Sequence, residues 1–77
     1  MYTIWGRPNC KWCEEAKRFL KFNFIDYEYI ELTPENLNKF SEITNGAKTV
    51  PQIFDSYNNL IGSYEELVDY IYSTELD

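Results

Sequence analysis

Two cysteines stand two residues apart in Cys10-Lys11-Trp12-Cys13, and they are the only cysteines in a 77-residue chain that contains no histidine. A bridge between them would close a tiny loop and constrain the unfolded chain very little, so stability does not explain the pair. A zinc site wants four ligands, and this chain offers no further Cys or His; closure would need a partner chain or acidic ligands. Two incidental buried cysteines would leave their setting unexplained. The remaining chemistry is reversible dithiol–disulfide exchange, in which a thiolate attacks a disulfide sulfur. Arg7 and Lys11 flank the pair. If Cys10 opens a helix, unpaired amides and the helix dipole add to those cations. Both effects lower a thiol pKa and raise its thiolate fraction. Cys13, one turn further in on the same face, is then placed to resolve a mixed disulfide formed at Cys10.

The flanking pattern predicts that placement. Tyr2–Trp5 is a short apolar, β-prone run, followed by the loop chemistry of Gly6-Arg7-Pro8-Asn9. Asn9 reads as an N-cap, with Glu14 and Glu15 near the positive end of the helix that follows. Ala16, Phe19, Leu20 and Asn23 recur at helical spacing, so a first helix is predicted from about Cys10 to Phe22. Tyr27–Leu32 alternates as a strand. Thr33-Pro34 reads as a cap and first helical position, Leu37, Phe40 and Ile43 or Thr44 as an apolar face, and Asn45-Gly46 as a stop. Thr49–Phe54 is a third strand, Asp55–Asn59 a polar turn, and Leu60-Ile61 a short fourth strand. Ser63 and Glu66 form a capping box for a last helix carrying Leu67, Val68 and Ile71. The order β-α-β-α-β-β-α implies one α/β domain over residues 1–77. It has a right-handed parallel β-α-β unit, a terminal hairpin, and helices on both faces of a mixed four-stranded sheet. Phe19, Leu20, Phe40, Ile53 and Ile71 are the expected core.

Composition narrows the partners. Hydrophobic residues are 44% of the chain and aromatics 18%. That is enough apolar material for a domain of a size that buries only about 60% of its unfolded surface. The net charge of −6 argues against a nucleic-acid partner. Five of the seven basic residues nevertheless lie between Arg7 and Lys21, around the cysteines, while eleven of the 13 acidic residues lie from Asp26 onward. No apolar run reaches the ~20 residues that span a bilayer. The first five residues lack the basic and apolar regions of a signal peptide. The expected setting is therefore the cytoplasm, that of the host if the chain is viral. With no apolar stripe left over once the core is assigned, a monomer is expected.

Two further segments bear on substrate binding. In Thr49-Val50-Pro51 the proline belongs at a strand start. It is either an ordinary strand opener or a cis bond that leaves the Val50 backbone N–H and C=O for a peptide-like substrate. In Gly62-Ser63-Tyr64-Glu65 a helix start offers amides to a carboxylate, or is simply capped. Trp12, between the thiols, reads as a partly exposed aromatic on the contact surface.

Together, a CxxC after strand one, a Thr-Val-Pro before strand three and a Gly-led last helix resemble the glutaredoxins, of the thioredoxin-like fold. The resemblance covers nearly the whole chain, and its compactness is similar to that of the short glutaredoxins of bacteria and large tailed phages. It implies reduction of protein disulfides or glutathione mixed disulfides. Cys10 would be the nucleophile, Cys13 the resolving thiol and glutathione the co-substrate, with no metal. Arg7 and Lys11 would supply cations to the tripeptide and Trp12 a surface. Thr49, Val50 and Pro51 would hold its backbone, and Gly62, Ser63, Tyr64 and Glu65 its γ-glutamyl end. Ribonucleotide reductase is a protein partner by analogy with the family. The chain departs from the usual pattern in having Lys11-Trp12 for Pro-Tyr and Ser63 for a second glycine. Those departures bear on redox potential and on glutathione affinity. A related protein reduced by thioredoxin reductase is the nearest rival, although the Trp-Ser-Gly-Phe-Arg stretch typical of that group is missing from Leu60–Tyr64. A non-catalytic carrier sharing an iron–sulfur cluster between two subunits, and a simple interaction domain, are the readings from other classes.

Overall fold

The computed structural model describes residues 1–74. Its elements are β1 (Tyr2–Gly6), α1 (Lys11–Phe22), β2 (Tyr27–Glu31), α2 (Leu37–Ile43), β3 (Gln52–Phe54), β4 (Leu60–Gly62) and α3 (Tyr64–Thr74). They form one four-stranded sheet in the order β2-β1-β3-β4. β1 runs parallel to β2, with Ile4 opposite Tyr29, and antiparallel to β3, with Ile4 opposite Ile53. The β3–β4 pair is antiparallel and irregular at Ile53/Phe54. The mixed sheet and three helices are those the sequence predicts.

Alternation along the central strands sends apolar side chains to both faces. Tyr2, Ile4 and Ile53 join Ala16 and Leu20 of α1 and Leu67 and Ile71 of α3 in the larger core. Trp5 and Phe54 meet Phe40 of α2 on the other face, with the Trp5 and Phe40 rings 5.7 Å apart. Phe19 does not sink into the core as expected. It packs at the edge of the larger cluster, edge-on to Tyr64 and Tyr72.

Several boundaries differ from the sequence reading, each for a local reason. Asn9 is not the cap of α1: its φ of 57° puts it in the left-handed region, and Cys10 takes the role, its Sγ accepting from the Cys13 N–H. Thr33 does accept from the Asn36 N–H, at 3.3 Å. Asn36, however, returns a bond to the Thr33 N–H and donates to the Glu31 carbonyl. Residues 34–36 therefore close as a turn, and α2 begins only at Leu37, which lies half exposed instead of on the apolar face. β3 is half its expected length, since Thr49 and Val50 bend and Pro51 has no N–H for the ladder. Asn45-Gly46 ends α2 as predicted: both have positive φ, and the Gly46 N–H returns to the Ser41 carbonyl.

Candidate active site

The site lies where β1 hands over to α1. Cys10 and Cys13 are joined as a disulfide, with their Cα atoms 5.2 Å apart. Cys10 is partly exposed and Cys13 is fully buried. Cys10 occupies the N-cap, and its sulfur accepts the Cys13 backbone N–H at 3.1 Å. An N–H aimed at that sulfur favours its charged form, and the helix dipole acts in the same sense. The outer sulfur is thus the one equipped to be a thiolate, and the inner sulfur is reached only from within the chain.

Gly6 explains how the inner cysteine fits. A Cβ placed there would lie 2.8 Å from Cys13 Sγ and 2.9 Å from the Tyr29 ring, so the last residue of β1 must lack a side chain. Tyr29 is brought in by its strand: it pairs with Ile4, two pairs before the Gly6–Glu31 end of the parallel ladder, with Trp5–Ile30 between them. Lys17, from the second turn of α1, stacks its ammonium 3.8 Å from the Tyr29 ring centroid and pairs with Glu14 at 3.0 Å. Burial raises the Tyr29 pKa above 10, against the pull of Lys17; the hydrogen bond to Glu14 holds Lys17 above its ordinary value. Sequence reasoning assigned no part in the site to Gly6, Lys17 or Tyr29. The one available signal was Lys17 four residues after Cys13, which puts a cation on the thiol's side of the helix.

Beside the disulfide lies a cleft of about 340 Å³ lined by Trp12, Val50, Pro51, Ser63, Tyr64 and Glu65. Six residues singled out from three separated segments therefore meet in one place. Trp12 is 51% exposed. It stacks on Tyr64, with ring centroids 5.3 Å apart and planes 30° apart, and Lys11 Nζ sits 5.0 Å from the Trp12 ring. The Val50–Pro51 bond is cis. Gly62 is buried behind the cleft at φ 119°, with the Glu66 carboxylate in the space a Cβ would take. That carboxylate accepts from the Ser63 N–H at 2.9 Å and from its hydroxyl at 3.0 Å. Arg7, Lys11 and Thr49 are exposed and are not part of the lining. Among the described residues, no group of three or more His, Cys, Asp or Glu side chains is gathered to hold a metal ion. No helix among them is long and apolar enough to cross a membrane.

Comparison with known proteins points the same way. A family model described as Glutaredoxin matches residues 1–57. Glutaredoxin 1 of Rickettsia conorii is 38% identical over 72 residues, covering 90% of this chain and 67% of that protein. The crystal structure of glutaredoxin 1 from Francisella tularensis, complexed with cacodylate, superimposes with a TM-score of 0.81 at 25% identity, covering 99% of this chain and 96% of that one. A buckwheat glutaredoxin–glutathione complex gives 0.80 at 18% identity over 97% and 71% of the two chains, a likeness of fold.

Proposed function

The chain belongs to the glutaredoxin family, and from that premise we propose that it is a glutathione-dependent thiol–disulfide oxidoreductase acting through Cys10 and Cys13. One observation carries the reading: a disulfide at the start of a helix, with one sulfur accessible and accepting a backbone N–H, opens beside a cleft that three separated segments build.

The mechanism follows from the asymmetry of the pair. In the reduced chain, Cys10 thiolate attacks the substrate disulfide; a new S–S bond forms at Cys10 Sγ and the leaving thiolate departs with the electron pair. Cys13, buried one turn inward, then attacks Cys10 Sγ, releases the second thiol and closes the disulfide seen here. A glutathione thiolate reopens it at Cys10, the accessible sulfur. The cleft supplies the place for the tripeptide. Trp12 and Pro51 give it apolar walls, Val50 a backbone edge, and Ser63, Tyr64 and Glu65 the start of α3. Arg7 and Lys11, exposed cations on either side of Cys10 in the chain, would steer an anionic ligand, and Thr49, exposed next to Val50, would extend the backbone edge. The buckwheat protein, of the same fold, is known as a glutathione complex. We read the chain as one domain, working as a monomer in the cytoplasm on disulfide-bearing proteins, with ribonucleotide reductase a partner by analogy.

The test is turnover of a glutathionylated small disulfide by the pure protein, with glutathione and glutathione reductase supplying electrons. The expected result is turnover that vanishes in Cys10→Ser and persists in part in Cys13→Ser. Silence with glutathione but turnover with thioredoxin reductase would overturn the choice of reductant; silence with both would overturn the enzyme reading.

A further inference from the structure

Resolution asks the buried cysteine to become a nucleophile, and burial opposes that, because a thiolate is disfavoured away from water. Cys13 has no exposed surface at all. Two residues stand behind it. Tyr29 and Cys13 Sγ crowd the same space beside Gly6: a Cβ there would meet Sγ at 2.8 Å, the Tyr29 ring at 2.9 Å and its hydroxyl at 3.1 Å. Lys17, one turn after Cys13, lies over the Tyr29 ring at 3.8 Å, fixed by its 3.0 Å ion pair to Glu14. A cation over an aromatic face draws on the ring's electrons and makes its hydroxyl a stronger donor.

We propose that Tyr29 and Lys17 are positioning residues for Cys13, the tyrosine hydroxyl donating to the Cys13 thiolate and the lysine ammonium reinforcing that donation through the ring. This rests on the roles given above to Cys10 and Cys13. When an incoming thiolate attacks Cys10 Sγ, the Cys10–Cys13 bond breaks and its electron pair leaves on Cys13 Sγ, where the Tyr29 O–H meets the new charge. In the opposite direction the Cys13 thiolate attacks Cys10 Sγ of a mixed disulfide, and the pair leaves on the departing thiolate, which takes its proton from water. Tyr29 never gives up its own proton. Its raised pKa keeps it a donor, and Lys17, also raised, stays an ammonium. Other groups act on the pair itself: Glu14 of α1 and Glu31 of β2 on Tyr29, and Glu14 and the phenol of Tyr27 on Lys17. Arg7 and Lys11 flank the cysteines along the chain, and Glu65 and Glu66 stand in the first turn of α3. Glu14 and Glu31 oppose a thiolate, so the net effect of the Lys17–Tyr29 pair must be read by removing it.

The experiment mixes the reduced full chain with 2-hydroxyethyl disulfide, quenches with acid, and follows by intact mass the adduct on Cys10 as Cys13 resolves it, across pH. The probe needs no tripeptide site. Tyr29→Phe keeps the ring against Gly6 and removes only the hydroxyl; Lys17→Met removes the charge. In each, the pH midpoint of resolution is expected to move up, with the adduct lasting about tenfold longer at neutral pH, the equivalent of one pKa unit at Cys13. Lys17→Arg restores the wild-type midpoint. Normal adduct formation with unmoved midpoints in both variants would overturn the role given to Lys17 and Tyr29. Failure of the wild-type chain to form the adduct would instead overturn the reading of Cys10 beneath it.

Discussion

An alanine at Gly6 would put a methyl group 2.8 Å from Cys13 Sγ and 2.9 Å from the Tyr29 ring. Both neighbours are held: the sulfur by its disulfide, the ring by β2 and by Lys17 above it. Gly6→Ala therefore forces a shift in a packed interior, a change that costs about 1–3 kcal/mol. Thermal unfolding of the oxidised chain is expected to fall by several degrees, since about 1 kcal/mol moves Tm by roughly 4–8 °C in a domain of this size. An unchanged Tm would mean that β1 can move away from Cys13 without loss. The packing of Cys13 thus depends on a residue that has no side chain. Its requirement is steric, and a one-dimensional sequence does not display it: Gly6 sits in Gly6-Arg7-Pro8-Asn9, where turn chemistry is explanation enough for a glycine.

At the level of the elements, the end of α1 shows what propensity can hide. Phe24 takes φ 58° and donates its N–H to the Lys21 carbonyl, while the Ile25 N–H reaches back to Leu20. This is the pattern of a Schellman cap, with a phenylalanine where glycine is usual. Its side chain is 96% exposed, so no burial repays the backbone. A left-handed conformation costs a non-glycine residue roughly 1–2 kcal/mol, and glycine's greater freedom in the unfolded chain returns part of that. Phe24→Gly is expected to stabilise the chain by about 0.5–1 kcal/mol, read as a higher urea midpoint with an unchanged slope. A lower midpoint would show that the exposed ring contributes more than its surroundings reveal. The sequence carries no glycine or proline at this point to mark the stop. Asn45-Gly46, the same cap built from the customary residues, was legible at once. Periodicity also made the order of elements and both apolar faces legible, because the pattern is set by burial on a sheet and on helices. The start of α2 and the length of β3 were not legible. One depends on Asn36 spending its side chain on Thr33 and Glu31, and the other on where Pro51 falls in a ladder. The cleft could be read because its three segments each carry a recognisable signature; the Lys17–Tyr29 pair could not, because it joins a helix to a strand through contact alone.

Across the whole molecule the titrating groups bound the pH range in which the fold is stable. Asp55 is buried at the β3–β4 turn and accepts four hydrogen bonds. They come from the N–H groups of Tyr57 and Asn59, the Asn59 amide and the Tyr70 hydroxyl of α3. Burial pushes its pKa up, but these donors together outweigh it and leave Asp55 below 3.8. A carboxyl depressed in the folded state contributes stability above its unfolded pKa and loses it as pH falls through the folded value. The acid limb therefore begins near pH 4 and runs downward. Tyr29, raised by burial, and Lys17, raised by its hydrogen bond to Glu14, behave in the opposite sense. Their contribution is present below about 10.0 and 10.5 and is lost as pH rises through the higher folded values. Urea unfolding of the oxidised chain across pH is expected to show a plateau between these limits. In Asp55→Asn the acid decline should flatten while stability on the plateau falls by about 1–3 kcal/mol, because an amide accepts fewer of the four bonds and its N–H groups face donors. In Lys17→Met the part of the alkaline decline that belongs to Lys17 should disappear, the part that belongs to Tyr29 should steepen because the pull of the ammonium is gone, and the acid limb should stay as it was. Were Asp55→Asn to leave the acid limb as steep as in the wild type, the limb would belong to the other carboxylates of a chain with net charge −6, and the tie from the β3–β4 turn to α3 would be a matter of packing and hydrogen bonds without titration.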